Sequence, residues 1–227
     1  MMPKEMNGLQ GIFAVQKVQG IQYATQNAVP GIAVYHEKLF EYEGKEYRQW
    51  IINKSKLASG ISRGIKLPVL KSGAKVLYLG ASSGTTVSHV SDIVGDKGLV
   101  YAIEFAPRPT RDLIKLANHR ENIVPILADA RRPEEYTHIV DAVDMLYADV
   151  AQPNQSELFV LNAEAFLKTA GTGFIAIKTR SISQVDRPGD VFNNEVEYME
   201  KNGFETVRTV DISKIHRQHR VFLGIWK

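Results

Sequence analysis

Asp149 and Lys178 are the two side chains in this sequence best placed to move a proton. Asp149 follows the apolar run 144–148, and Lys178 closes another, Phe174-Ile175-Ala176-Ile177. A lysine at the end of a buried strand is costly unless it is paired or its ammonium reaches water. If neighbouring strands bring it beside Asp149, the two form one desolvated pair whose titration belongs to both. A lysine held in that way can act as a general base or orient a hydroxyl for attack. A structural ion pair at the sheet rim explains the same residues equally well. Asn154 is the better cap for the helix that follows, which leaves Asp149 free for other work.

A second constellation surrounds the turn Gly80-Ala81-Ser82-Ser83-Gly84. An apolar strand leads into it, a helix-like segment leaves it, and the next apolar run ends on Glu104. Strand, tight turn, helix, strand and terminal carboxylate together bind a nucleoside: glycine admits the ligand to the backbone, and the acid accepts from ribose hydroxyls. The turn lacks the G-x-G-x-x-G spacing, which weakens the case for a dinucleotide and an NAD-dependent oxidoreductase. S-adenosylmethionine, with a ribose and an amino-acid carboxylate but no phosphate, fits better. Asp129 ends a further strand and serves equally as a helix cap or as an acceptor for the adenine amine. His216-x-x-His219 has no cysteine or nearby acid to complete a metal set, so no metal is expected.

These groups need a parallel sheet to position them. Strands are expected at 75–79, 99–104, 123–128, 144–148 and 173–178, with helices at 85–94, 109–118, 133–140 and 155–168 between them. Prolines 109 and 133 sit where a first helical turn tolerates them. A helix at 191–202 and runs at 205–211 and 220–226 follow, the last two suggesting an antiparallel pair at one edge. The expected class is α/β, a Rossmann-like, mostly parallel sheet with an antiparallel edge strand. Residues 1–52 read differently: partial alternation broken by Gly20, Pro30-Gly31 and Gly44 predicts short strands and hairpins. The division is therefore a small β-rich N-terminal domain at 1–52 and the main domain at 53–227. Asn53 is the expected cap of a helix reaching residue 65.

The 227 residues are 44% hydrophobic and 23% charged, ordinary for a globular protein. Cysteine is absent, which excludes disulfides and thiolate chemistry. No membrane span or signal core is visible, so a soluble, cytoplasmic protein is expected. Net charge is only +3, yet residues 54–75 carry six cations and no acid, and 214–220 are basic too. Solvated faces explain isolated charge runs; nucleic acid explains them if the fold brings both runs to the rim of the cofactor cleft.

The uninterrupted stretch Gly80-Ala81-Ser82-Ser83-Gly84-Thr85-Thr86-Val87-Ser88-His89-Val90-Ser91-Asp92 is very similar to the signature of the fibrillarin family. Ser55-Lys56-Leu57-Ala58, Val100 through Phe105, Asp129-Ala130-Arg131 and Ala148 through Pro153 match as well. The resemblance runs from about residue 31 to the C-terminus. It implies S-adenosylmethionine-dependent 2′-O-methylation of ribose in ribosomal or transfer RNA. A box C/D guide RNA would select the target RNA; a Nop-family scaffold and a kink-turn-binding, ribosomal-type protein would complete the particle. The catalytic set carries over as Lys56, Asp149, Lys178 and His219, with His216 one helical turn from the last. The cofactor positions carry over as Thr85, Thr86, Glu104, Phe105, Asp129, Ala130 and Asp149 through Gln152, beside the turn residues Gly80, Ala81 and Gly84. Without a Gly/Arg-rich extension the chain resembles the archaeal form. A catalytically silent particle subunit is the competing expectation.

Overall fold

A computed structural model describes residues 2–18 and 20–227. Five antiparallel strands open the chain: β1 (Pro3–Met6), β2 (Leu9–Lys17), β3 (Gly20–Gln26), β4 (Leu39–Tyr42) and β5 (Lys45–Trp50), in the order β1-β2-β3-β5-β4. Glu43 and Gly44 close the β4–β5 hairpin, both at positive φ (50° and 72°), the geometry whose twist matches the flanking strands.

The main sheet has seven strands: β6 (Lys75–Leu79), β7 (Leu99–Glu104), β8 (Ile123–Leu127), β9 (Val143–Ala148), β10 (Leu167–Lys178), β11 (Phe204–Asp211) and β12 (His219–Trp226). Their order is β11-β12-β10-β9-β6-β7-β8, parallel except where β12 runs against both β10 and β11. Helices α1 (Lys56–Ser62), α2 (Thr85–Val94), α3 (Pro107–Ala117), α4 (Gln155–Phe166), α5 (Thr179–Ile182) and α6 (Pro188–Lys201) accompany it. From β6 the chain winds outward through β7 and β8, then returns to the other side of β6 with β9. That reversal opens a crevice at the carboxyl ends of β6 and β9, where Gly80 and Asp149 lie.

Several local expectations need correction. Asn53 does not cap α1; it lies in a short 3-10 turn (Ile52–Lys54), and the Ser55 hydroxyl accepts the Ala58 N–H at 3.2 Å instead. The helix also stops at Ser62, because Gly64 takes a positive φ of 89°. Residues 133–140 form only one 3-10 turn, Pro133–Tyr136. Asn154 occupies the cap position of α4, but its amide donates to Glu157 Oε2 and caps no backbone group. Pro107 rather than Pro109 opens α3.

The inner face of the five-stranded sheet has no core of its own. Ile12, Tyr23 and Trp50 share one apolar cluster with Val87, Val90 and Val94 of α2. Beneath them lies a buried polar network. Arg48 donates to Glu37, to Asp92 Oδ2 (2.9 Å) and to Ser88 Oγ (2.9 Å), while Arg120 reaches Asp92 Oδ1 at 2.6 Å. His89 stacks on Trp50 and is hydrogen-bonded at both nitrogens, to Thr25 Oγ1 (2.8 Å) and Tyr35 Oη (2.7 Å).

Burial, then the nearby Arg48 and Arg120, hold His89 well below the ordinary histidine range. The unfolded chain, with histidine near 6.5, therefore binds the proton first. The resulting stability is complete above that value and lost as pH falls below it, with a slope of up to about 1.4 kcal/mol per pH unit per proton. Melting temperature should hold near pH 7–8 and decline below about pH 6.5. A His89→Gln chain should lose most of that slope in a thermal-denaturation series.

Candidate active site

The turn after β6 is built for close approach. Gly80 adopts φ +80°, Ser82 +51° and Gly84 +92°, and the N–H groups of Gly80 and Ala81 both donate to the Ile103 carbonyl at 3.0 Å. A Cβ on Gly80 would stand 2.5 Å from the carbonyl oxygen of Asp149, so only glycine lets the two strand ends lie side by side. Gly84 is tied down from the other direction, its Cα facing Leu116 and Leu113 of α3.

Glu104 closes the crevice. Its Oε2 accepts the Ser82 N–H (2.7 Å) and its Oε1 the Ala106 N–H (2.8 Å), which fixes the carboxylate while leaving lone pairs on both oxygens. Gly80, Glu104, Phe105, Ala130, Asp149 and Gln152 line a cleft of about 250 Å³. Phe105 is 63% exposed at its lip. Of the other positions expected at the cofactor, Val150 and Ala151 line the cleft, whereas Ala81, Gly84, Thr85 and Thr86 do not. Thr86 is buried and donates to Ser55 Oγ at 3.0 Å, which ties α2 to the start of α1.

Asp129 lines an adjoining hollow with Phe105, Leu127 and Arg131. It caps no helix. Its carboxylate is gripped by Arg131 through Nε (2.9 and 3.0 Å) and Nη2 (2.5 Å), and this pairing holds it below the usual carboxylate range.

Next to the cleft, Lys56 Nζ meets Asp149 Oδ2 at 2.8 Å, with the side chains 26% and 20% exposed. The pair expected between Asp149 and Lys178 is thus not the one that forms: no ion pair joins them among the described residues. The register explains it. Ala148 lies level with Ile175, so Asp149 is one residue past that level and Lys178 three. The difference of two residues is roughly 7 Å along the strand. Lys56 reaches the gap from the first residue of α1.

His219 is the cross-strand partner of Lys178. Its Nδ1 donates to the Arg217 carbonyl at 2.8 Å, which leaves Nε2 as an acceptor. Burial lowers its proton affinity, the Arg217 carbonyl opposes that, and Lys56 and Asp149 act on it with opposite signs. His216 is used elsewhere: its Nε2 contacts Ile52 O and Ser59 Oγ, both at 3.0 Å, and so docks the C-terminal basic segment on α1. The two basic segments therefore meet beside the cleft. Lys75 departs from them, pairing with Asp141 at the opposite end of the sheet.

Three participants escaped sequence reasoning. Ser55 accepts from Ala58 N–H and Thr86, Ser82 donates its N–H to Glu104, and Gln155 holds both main-chain groups of Lys178. Only the small-polar residue before α1 offered a signal, as an N-cap one position ahead of a lysine.

A model of the family described as Fibrillarin matches residues 3–227. The chain is 49% identical over 219 residues to the fibrillarin-like rRNA/tRNA 2′-O-methyltransferase of Methanocaldococcus jannaschii, covering 96% of this chain and 95% of that protein. Among solved structures, Aeropyrum pernix fibrillarin with natively bound S-adenosyl-L-methionine superposes with a TM-score of 0.91 at 42% identity, covering 99% and 98% of the two chains. A fibrillarin in complex with Nop5p gives 0.88 at 38% identity, covering 99% of this chain and 100% of that one.

Proposed function

The chain belongs to the fibrillarin family, and from that premise we propose that it transfers the methyl group of S-adenosylmethionine to ribose 2′-hydroxyls of ribosomal and transfer RNA. The observation that carries this reading is the Lys56–Asp149 pair at 2.8 Å, standing at the mouth of a cleft that a ribose-binding carboxylate, Glu104, closes. Residues 53–227 are the catalytic unit, and 1–52 a small β-rich unit packed on it. A Nop-family protein is the expected partner, as in the fibrillarin–Nop5p complex. A box C/D guide RNA and a kink-turn-binding protein complete the assembly. Among the described residues no helix is long and apolar enough to cross a membrane.

The residues fit the cofactor. Gly80 lines the cleft where its missing Cβ lets the Asp149 strand end lie alongside, and Glu104 faces the same cleft with free lone pairs. Gly80, Glu104, Phe105, Ala130 and Gln152 would hold it, with Asp129 accepting from the base. When bound, S-adenosylmethionine supplies a methyl group already activated as a sulfonium. The protein's share is to align the ribose hydroxyl and let its proton leave. Asp149 and Lys56 fix each other at the cleft mouth, so that either the carboxylate accepts the hydroxyl proton or the ammonium steadies the adjoining phosphate. Lys178 approaches from the neighbouring strand, and neutral His219 presents Nε2 as an acceptor beside it.

The test is transfer of labelled methyl from S-adenosylmethionine to a target RNA, with and without guide and both partner proteins. Labelling of one ribose, and only in the full mixture, is the expected result. Tight cofactor binding with no labelling would instead favour a docking subunit that has kept the fold.

A further inference from the structure

Gln155 is the first residue of α4 and fully buried. Its side chain does not serve its own helix. Oε1 accepts the main-chain N–H of Lys178 at 2.9 Å, and Nε2 donates to the main-chain carbonyl of the same residue at 3.2 Å. Only one orientation of the amide satisfies both bonds. A β-strand normally spends these two groups on a neighbouring strand. Here they are spent on a side chain that mimics one, at the point where β10 leaves the sheet and the short helix α5 begins.

Two further bonds fasten the same corner. Thr179 donates its N–H (3.2 Å) and hydroxyl (3.3 Å) to the Gln218 carbonyl, and Gln218 itself holds a positive φ of 65°. Lys178 and His219 are therefore clamped from both flanks. On the other side, the loop carrying Asp149 runs directly into Gln155, five residues from Val150. One amide thus spans the distance between the Asp149 loop and the end of β10.

We propose that Gln155 is a positioning residue for methyl transfer: its amide fixes the Lys178 peptide relative to Asp149 and so sets where the Lys178 ammonium reaches. It touches no reacting atom. The proposal rests on the reading of Lys178 as a catalytic group.

The chemistry of the amide supplies its own test. A neutral carboxylic acid offers one donor and one acceptor, as the amide does, whereas a carboxylate only accepts. In Gln155→Glu the ionised form would face the Lys178 carbonyl without a proton to give it. Burial raises the pKa of such a carboxyl toward the assay range. Transfer rates would be measured in the assembled particle, well below the melting temperature, as the ratio of variant to wild type across pH 5.5–8.5 (about three units, enough to titrate a raised carboxyl). The ratio removes the pH effects that the two proteins share.

The expected result is a low ratio at high pH that climbs as pH falls, with S-adenosylmethionine affinity unchanged throughout. Gln155→Ala, with nothing to titrate, should show kcat reduced roughly 10- to 100-fold at every pH and cofactor Kd unaltered. A flat Gln155→Glu ratio would overturn the proposal. So would a Gln155→Ala chain within twofold of wild type, or one that loses cofactor binding and thermal stability along with rate. Lys178→Ala separates the two readings: full activity there would show that Lys178 is not catalytic, whatever Gln155 does.

Discussion

Asp149→Ala should reduce methyl transfer by about 10²–10⁴-fold while shifting the melting temperature only slightly. The contrast between the two effects is what makes the experiment decisive. The Lys56–Asp149 pair is partly exposed on both sides, so its share of stability is that of a surface pair, about 0–1 kcal/mol. A purely structural ion pair would therefore give a small loss of stability and almost none of rate. If the pair instead aligns the ribose hydroxyl, rate falls far more than stability does. Asp149→Asn sharpens the point by keeping the shape and removing the charge. Lys56→Ala should cost a comparable factor, and the double variant should cost little more than either alone, because groups acting as a unit are not additive. Retention of wild-type turnover by Asp149→Asn would remove this residue from the mechanism.

The largest stability effect should come from a residue far from that chemistry. Arg48→Ala leaves the buried Glu37 carboxylate without its cation and removes one of the two guanidinium groups on Asp92. Breaking a buried pair from one side costs about 3–5 kcal/mol. For a chain of this size that means a melting temperature lower by roughly 10 °C. Glu37→Gln added to Arg48→Ala should recover part of the loss, since the stranded charge is then gone. Chemical denaturation of the single and double variants would measure both numbers. A loss below about 1 kcal/mol would mean that water reaches Glu37 and replaces the arginine.

The parallel sheet and most of its helices were legible because the central strands are dense apolar runs and the turn after the first of them carries its own glycines. Residues 75–79 and 85–94 fall where the pattern puts them. The Gly80 turn and Glu104 were legible for the same reason, being local in sequence. The partner of Asp149 was not. That choice depends on the β9–β10 register and on how far α1 extends, and neither leaves a mark in local composition. Gln155 was invisible for a related reason: a buried glutamine at a helix start looks like any first-turn residue until a strand end lies against it. Asn53 and Asn154 misled because side-chain capping competes with other bonds, and here Ser55 and Glu157 won.

The shared core beneath the five-stranded sheet also bears on how the protein is made. Synthesis delivers residues 3–50 before the helix that covers them, so Ile12, Tyr23 and Trp50 emerge facing a surface that does not yet exist. The helix that covers them ends at Val94, and the second arginine on Asp92 is residue 120. About half of the chain must therefore leave the ribosome before this sheet can bury its apolar face and neutralise its internal charges, so its strands wait unburied while the covering helix is made.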